Sequence, residues 1–374
     1  MSGPLSSGRR RRLTSYVLAT AVTVAFAYLA VRDVDVAELG RSLRESNYWY
    51  LVPAFALLAL AFFMRVLRWR SLFSPRTRPG LWPLSKALLL GQFLNNVLPF
   101  RAGDAARVVV LRSFGGPSRV ETAGTVVVER IFDVLALLLL LFVSLPWLPE
   151  VTWIQAAGTL AIAFVVLVAA AVVVLRVYGE RAVGFVLRPL VRLPFLSPKR
   201  VEAAVRNLTV GVIALRSARV GLVGFAWTLL SWVVFGFSFW FVMLGFDLGL
   251  WPEAGVFVVI TTGLSHLLPS APAAVGVFEA AAVVALIAYG IPRAEALSYA
   301  LVVHALSVLP FVAAGLLLVS LRGRDQGLRA EESAFQASGP SVLRGDRERA
   351  GDDEDDVTQP ANRQPEVDQA RESR

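Results

Sequence analysis

The chain has 374 residues, of which 56% are hydrophobic and only 17% charged, with a mean hydropathy of +0.61. Soluble domains carry nearer a quarter charged residues, so this balance excludes an ordinary soluble enzyme and points to an all-α polytopic membrane protein. There is no cysteine for disulfides or thiolate metal sites, and the net charge of +9 divides into +14 over the first 322 residues and −5 from Gly323 onward, which fits basic loops on anionic lipid and no nucleic-acid partner.

In chain order, four arginines at 9–12 close a basic N-terminus, residues 1–13, ahead of an apolar run over 14–31. Positive charge beside a first span marks the cytoplasmic side. Ala25-Phe26-Ala27 lends the run some likeness to a cleavable signal, but the apolar stretch continues to Val31, so it is read as an anchor. Val36, Leu39 and Leu43 share one helical face, as in a short helix lying in the outer interface. A second run, 48–64, ends in RVLRWRSLFSPRTR (65–78), again basic and so placed on the cytoplasmic side. Further runs of about 20 residues, the length needed to cross, cover 124–147, 153–176, 219–244 and 298–320. Three shorter or broken runs occupy 81–99, 251–268 and 273–290. The membrane body thus covers 14–322, and the charged stretch 323–374, with GDDEDD at 351–356, reads as a disordered cytoplasmic tail.

The run 81–99 decides the topology. Full crossing would put the arginine-rich connection 177–218 outside. If 81–99 enters and returns on the cytoplasmic side, every basic segment stays inside. The expected architecture is therefore six full spans, both termini cytoplasmic, and one re-entrant element from each side.

Polar residues concentrate at these breaks. In NNVLPFRAGDAARVVVLR (95–112), Leu98-Pro99 ends the inward helix and Phe100-Arg101-Ala102-Gly103 forms the turn, with Gly103 free to take positive φ. Asp104 is placed to cap a helix beginning near Ala105, whose free amides, with Arg101 and Arg107, make a phosphate seat. The amides Asn95 and Asn96 flank it. Glu129, Arg130 and Asp133 lie within an apolar run, where ionisable residues mark function. Glu129 and Asp133 share a face and need a cation, either a nearby arginine or a ligand ammonium.

A second broken segment, PSAPAAVGVFE (269–279), carries Pro269, Pro272 and Gly276 as its turn and Glu279 at the start of the returning helix. GQFLNNVLPFRAGD (91–104) and TTGLSHLLPSAPAA (261–274) align as an internal repeat, with Arg130 and His304 at comparable distances beyond the prolines. Approaching from opposite sides, the two form an inverted repeat, the best sequence pointer to a binding site between the halves. His266 and His304 read as satisfied interior histidines, so neither metal nor other cofactor is expected.

GQFLNNVLPFRAGDAARVVVLR, VVVERIFDVLALL and LPSAPAAVGVFE, in that order and spacing, resemble the lysylphosphatidylglycerol synthase transmembrane, flippase-like family over about residues 12–322. The resemblance implies a membrane part that translocates aminoacylated phospholipid, separate from the cytosolic domain that makes it. The 52 residues after 322 are too few for that domain, so the chain looks like the stand-alone translocase. Family positions carried over are Asn95, Pro99, Arg101, Gly103, Asp104, Arg107, Glu129, Arg130, Asp133, Pro269, Pro272, Gly276 and Glu279. The family's Thr-Pro-Gly-Gly is here Ala271-Pro272-Ala273-Ala274, and His304 stands for a common arginine, which adds it to the head-group candidates.

The expectation is a lipid translocase, not an enzyme. Arg101 and Arg107 would hold the phosphate, and Glu129 and Asp133 would face an amine or balance the arginines. The expected partners are a membrane lipid and a separately encoded lipid-modifying enzyme. With no P-loop, movement would be passive or ion-driven. Two alternatives are a membrane enzyme of polyprenyl-lipid or glycolipid synthesis, with Asp33 and Asp35 on a metal, and a small-solute transporter.

Overall fold

The computed structural model describes residues 20–32, 34–98, 102–149, 218–266 and 271–337, with Thr159 and Ala163. Pro99, Arg101, Pro269, Asp33, the expected span 153–176 and nearly all of the connection 177–218 lie outside the described residues. Every regular element described is helical. The chain divides into two units, Met1–Leu318 and Val319–Arg374, and the helix packing and the cavity belong to the first.

α1 (Thr20–Val31) leads to α2 (Val36–Glu45), whose first turn is closed by Asp35: its carboxylate accepts from the amides of Ala37 (2.8 Å) and Glu38 (3.3 Å). α2 buries no residue and leaves Val36 77% exposed, as an interfacial helix would. α3 (Leu51–Ser71) follows, 21 residues and so about 30 Å long. It turns Val52, Phe55, Leu60 and Phe63 outward, an apolar exterior that suits hydrocarbon as solvent. The helix does not stop where the apolar run does. The helix runs seven residues past Met64, and Arg65 and Arg68 sit on its inner face.

α4 (Leu81–Val97) and α5 (Ala102–Ser113) form a helical hairpin. They meet so closely that a Cβ on Gly103 would stand 1.9 Å from the carbonyl oxygen of Gly91. Gly103 is therefore a close-packing glycine inside α5 and not a positive-φ turn residue, because the helix begins at Ala102. The same early start puts Asp104 in the first helical turn, so it does not cap from outside.

α6 (Arg119–Ser144) starts at Ser118, whose hydroxyl accepts from the Glu121 amide (3.2 Å). It buries Thr122, Thr125, Glu129, Phe132 and Ala136, a stripe at alternating three- and four-residue steps. α7 (Ala218–Gly245) packs along α3, where Ser238 donates to the Ala54 carbonyl (2.7 Å). It also crosses α8 (Pro252–Ser265) at Gly236 and Gly255, where a Cβ on Gly255 would fall 2.5 Å from the Gly236 oxygen. Small residues let helix backbones approach where hydrocarbon supplies no hydrophobic drive.

A turn at Pro272–Ala274 leads into α9 (Val277–Ile287), and α10 (Arg293–Ala337) follows. The largest core joins α6 to α10 through Phe239, Phe257, Phe278 and Tyr299, whose hydroxyl donates to the Phe239 carbonyl (3.0 Å). Among the described residues, three helical stretches are long and apolar enough to cross a membrane: Tyr48–Ser71, Arg219–Gly245 and Arg293–Leu321. Thr20–Val31, Pro252–Ser265 and Pro272–Ile287 are shorter apolar helices. The expected span 124–147 falls on α6, which has the length but carries Glu129, Arg130 and Asp133 at its middle.

Candidate functional site: a charged cavity between broken helices

The inner faces of α3, α4, α5 and α6 bring their ionisable side chains to one place. Arg68 of α3 reaches two carboxylates of α6, binding Asp133 Oδ1 through Nη1 (2.5 Å) and Glu129 Oε1 through Nη2. Glu129 Oε2 pairs with Arg107 Nη2 of α5 at 2.7 Å. Arg130 extends from α6 to Asp104 Oδ2 (3.3 Å) and to Asp133 Oδ2 (3.5 Å). Asn95 Nδ2 donates to Asp104 Oδ1 (3.2 Å), and Trp232 Nε1 of α7 donates to Asp133 Oδ1 (3.2 Å). Arg68, Arg107 and Glu129 are all at most 2% exposed. Burial on this scale is tolerable only because each ion is paired.

Arginine planes also stack on aromatic faces. The Arg107 guanidinium lies 4.9 Å from the Trp69 ring centre, while Trp69 Nε1 donates to Thr125 Oγ1 (3.0 Å). Arg65 lies 4.8 Å from Trp232 and 5.4 Å from Phe235.

The second broken segment has its own lock. Glu279, in the first turn of α9, accepts from the Gly276 amide through Oε2 (2.6 Å) and meets His304 Nδ1 of α10 through Oε1 (2.6 Å). His304 Nε2 lies 2.9 Å from the Ala273 carbonyl, and its ring stacks 4.4 Å from Phe278. A carbonyl only accepts, so Nε2 carries hydrogen, and the contact at Nδ1 then holds one proton between imidazole and carboxylate. Whichever atom bears that proton, the pair is neutral overall. Ala273 (φ 56°) and Ala274 (φ 58°) both adopt left-handed backbone at the positions where the family pattern has glycines. Gly276 (φ 80°) abuts α1, where a Cβ would meet the Thr23 oxygen at 2.7 Å.

Both groups border a single cavity of about 410 Å³. Asn95, Asn96, Asp104, Arg107, Glu129, Arg130, Asp133 and His304, all singled out from the sequence, line it together. Glu279 reaches it through His304, and Pro272 and Gly276 shape the loop that contributes Ala271, Ala273 and Ala274 to the wall. Phe62, Leu88, Leu137, Phe235 and Phe311 make much of the rest apolar. Arg65, Arg68 and Trp232 also line it and are not among the residues expected from sequence. The signal for the arginines is present: FFMRVLRWR keeps Val66 and Trp69 on an apolar helical pattern around two arginines three apart.

A helical body with an apolar exterior and an ionic cavity inside it defines a multi-pass membrane protein. Residues 16–315 match the family described as the lysylphosphatidylglycerol synthase TM region, and the chain belongs to that family. It is also similar to a UPF0104 membrane protein of Methanocaldococcus jannaschii, 26% identical over 195 residues, which cover 50% of this chain and 76% of the relative.

Proposed function

We propose that the protein is a flippase-like lipid translocase that moves a phospholipid, or a related anionic or aminoacylated lipid, between leaflets. The observation that carries this reading is the cavity of about 410 Å³, lined both by a buried network of arginines and carboxylates and by hydrocarbon side chains. An amphipathic ligand matches both. Its phosphate would meet the guanidinium groups and its chains the apolar exterior.

The reading includes six full spans, two re-entrant elements in an inverted repeat, and both termini in the cytoplasm of a cell whose cytoplasmic membrane holds the protein. Support comes from the α4–α5 hairpin and the 271–276 segment, which border the same cavity from different parts of the chain. No bond is made or broken in this scheme, and a separately encoded enzyme would supply the lipid. Asp35, invoked for a metal-dependent alternative, has its carboxylate engaged in capping α2.

The test is lipid flipping in proteoliposomes with head-group-labelled phospholipid and an outside quencher. Wild-type protein should expose inner-leaflet lipid faster than protein-free vesicles, and Arg130→Gln, at the half-exposed edge of the network, should slow it. Wild-type rates equal to those of empty vesicles would end the reading.

A further inference from the structure

The ion network around the cavity does not balance. Among the described residues, four guanidinium groups, of Arg65, Arg68, Arg107 and Arg130, face three carboxylates, of Asp104, Glu129 and Asp133. Each of the six carboxylate oxygens already has a cationic partner: Arg68 and Arg107 on Glu129, Arg68 and Arg130 on Asp133, and Arg130 on both oxygens of Asp104. The neighbouring His304–Glu279 pair is neutral overall. The odd charge belongs to Arg65, which among the described residues has no carboxylate within ion-pair distance and whose Nε is buried without a hydrogen-bond acceptor. Its guanidinium lies on the ring faces of Trp232 and Phe235. The amide nitrogen Nδ2 of Asn96, on the same cavity wall, is likewise buried without a partner.

We infer that Arg65 is the head-group anchor of this cavity, and that the lipid it takes has a net negative head group, a phosphodiester without an ammonium. A guanidinium held against ring faces without an ion pair of its own is stabilised by a ligand that supplies a further negative charge. A phosphate does so, and Asn96 adds a neutral donor to it. An ammonium meets the reverse situation. Among the described residues the carboxylates of the network are already paired, and Arg65 occupies the aromatic faces of Trp232 and Phe235 that would otherwise attract a cation. A lysylated phospholipid, whose two ammonium groups outweigh its one phosphate, is therefore the disfavoured ligand here. The inference rests on the translocase reading only for the ligand being a membrane lipid.

The test separates binding from movement. The purified full chain in detergent is titrated with phosphatidylglycerol, lysylphosphatidylglycerol and soluble glycerol phosphate, with binding read by native mass spectrometry and by thermal stabilisation. Phosphatidylglycerol should bind about tenfold or more tightly than its lysylated form. Arg65→Gln should remove most of that preference, and Arg65→Lys should keep it. Arg65→Met, which preserves the packing on Trp232 and Phe235, gives the same readout if the glutamine variant does not fold. Equal or tighter binding of the lysylated lipid by wild type overturns the inference, as does an unchanged preference in Arg65→Gln or Arg65→Met. Glycerol phosphate protecting as well as the lipid overturns the lipid assignment. If the preference holds and depends on Arg65 while no lipid crosses vesicles, the anchor stands and the translocase reading falls.

Discussion

Arg68 and Glu129, 61 residues apart in sequence, form the central contact of the buried network, and the other terminal nitrogen of Arg68 holds Asp133 at 2.5 Å. This one side chain ties α3 to α6. Removing it leaves two buried carboxylates short of a cation, a loss of about 3–5 kcal/mol. Arg68→Met should therefore unfold in detergent well below wild type. Arg68→Lys should recover little, because an ammonium cannot bridge two carboxylates in the forked geometry of a guanidinium. The triple change Arg68→Met, Glu129→Gln, Asp133→Asn should recover part of the loss, and a thermal-unfolding series checks the order.

That contact also explains where the sequence is readable and where it is not. Glu129 and Asp133 stand out as charges inside an apolar run, and Asp104 and Arg107 at the break after another, and the cavity gathers all four. Arg65 and Arg68 follow an apolar run and read as positive charge on the cytoplasmic side. Arg68 is held inside by two carboxylates more than 60 residues away, and Arg65 by the rings of Trp232 and Phe235, so the local helical pattern alone does not name their partners. The turn residues mislead for a different reason. Gly103 suggests conformational freedom, whereas the structure uses its missing side chain for contact with Gly91. A glycine before a capping residue and a glycine at a helix crossing look alike in sequence.

The hairpin gives the second prediction. Gly103→Ala would force its Cβ into the Gly91 carbonyl and should cost about 3 kcal/mol or more by overpacking. Gly40→Ala is the control. It lies in α2 with nothing within 4 Å of the added carbon, and should stabilise by about 0.5–1 kcal/mol through helix propensity. Both are read from unfolding midpoints of the purified protein.

Topology can be tested directly because the chain has no native cysteine. Ser113 is exposed at the end of α5, and Val36 is exposed on α2. If α4 and α5 form a cytoplasmic re-entrant hairpin, Ser113→Cys in intact cells should resist an impermeant thiol reagent, whereas Val36→Cys should react. Labelling of Ser113→Cys from outside would show that 81–99 crosses fully.

The last prediction concerns the strained loop at the cavity wall. Ala273 and Ala274 hold φ values of 56° and 58°, a conformation that costs an L-residue with a Cβ about 1–2 kcal/mol. Glycine avoids that cost but loses about 0.4–1 kcal/mol to the greater freedom of the unfolded chain. Ala273→Gly and Ala274→Gly should therefore each be neutral to stabilising, by at most about 1 kcal/mol. Truncating His304 works in the opposite direction. His304→Ala strands Glu279 Oε1 and frees the Ala273 carbonyl, so it should destabilise by about 2–3 kcal/mol. The loop conformation is thus imposed by the contacts of His304 and Glu279, against the backbone preference of alanine. If that holds, His304→Ala releases the strain, and Ala273→Gly should add no stability when the two are combined. A double variant more stable than His304→Ala alone would mean the left-handed turn is held by something other than this histidine.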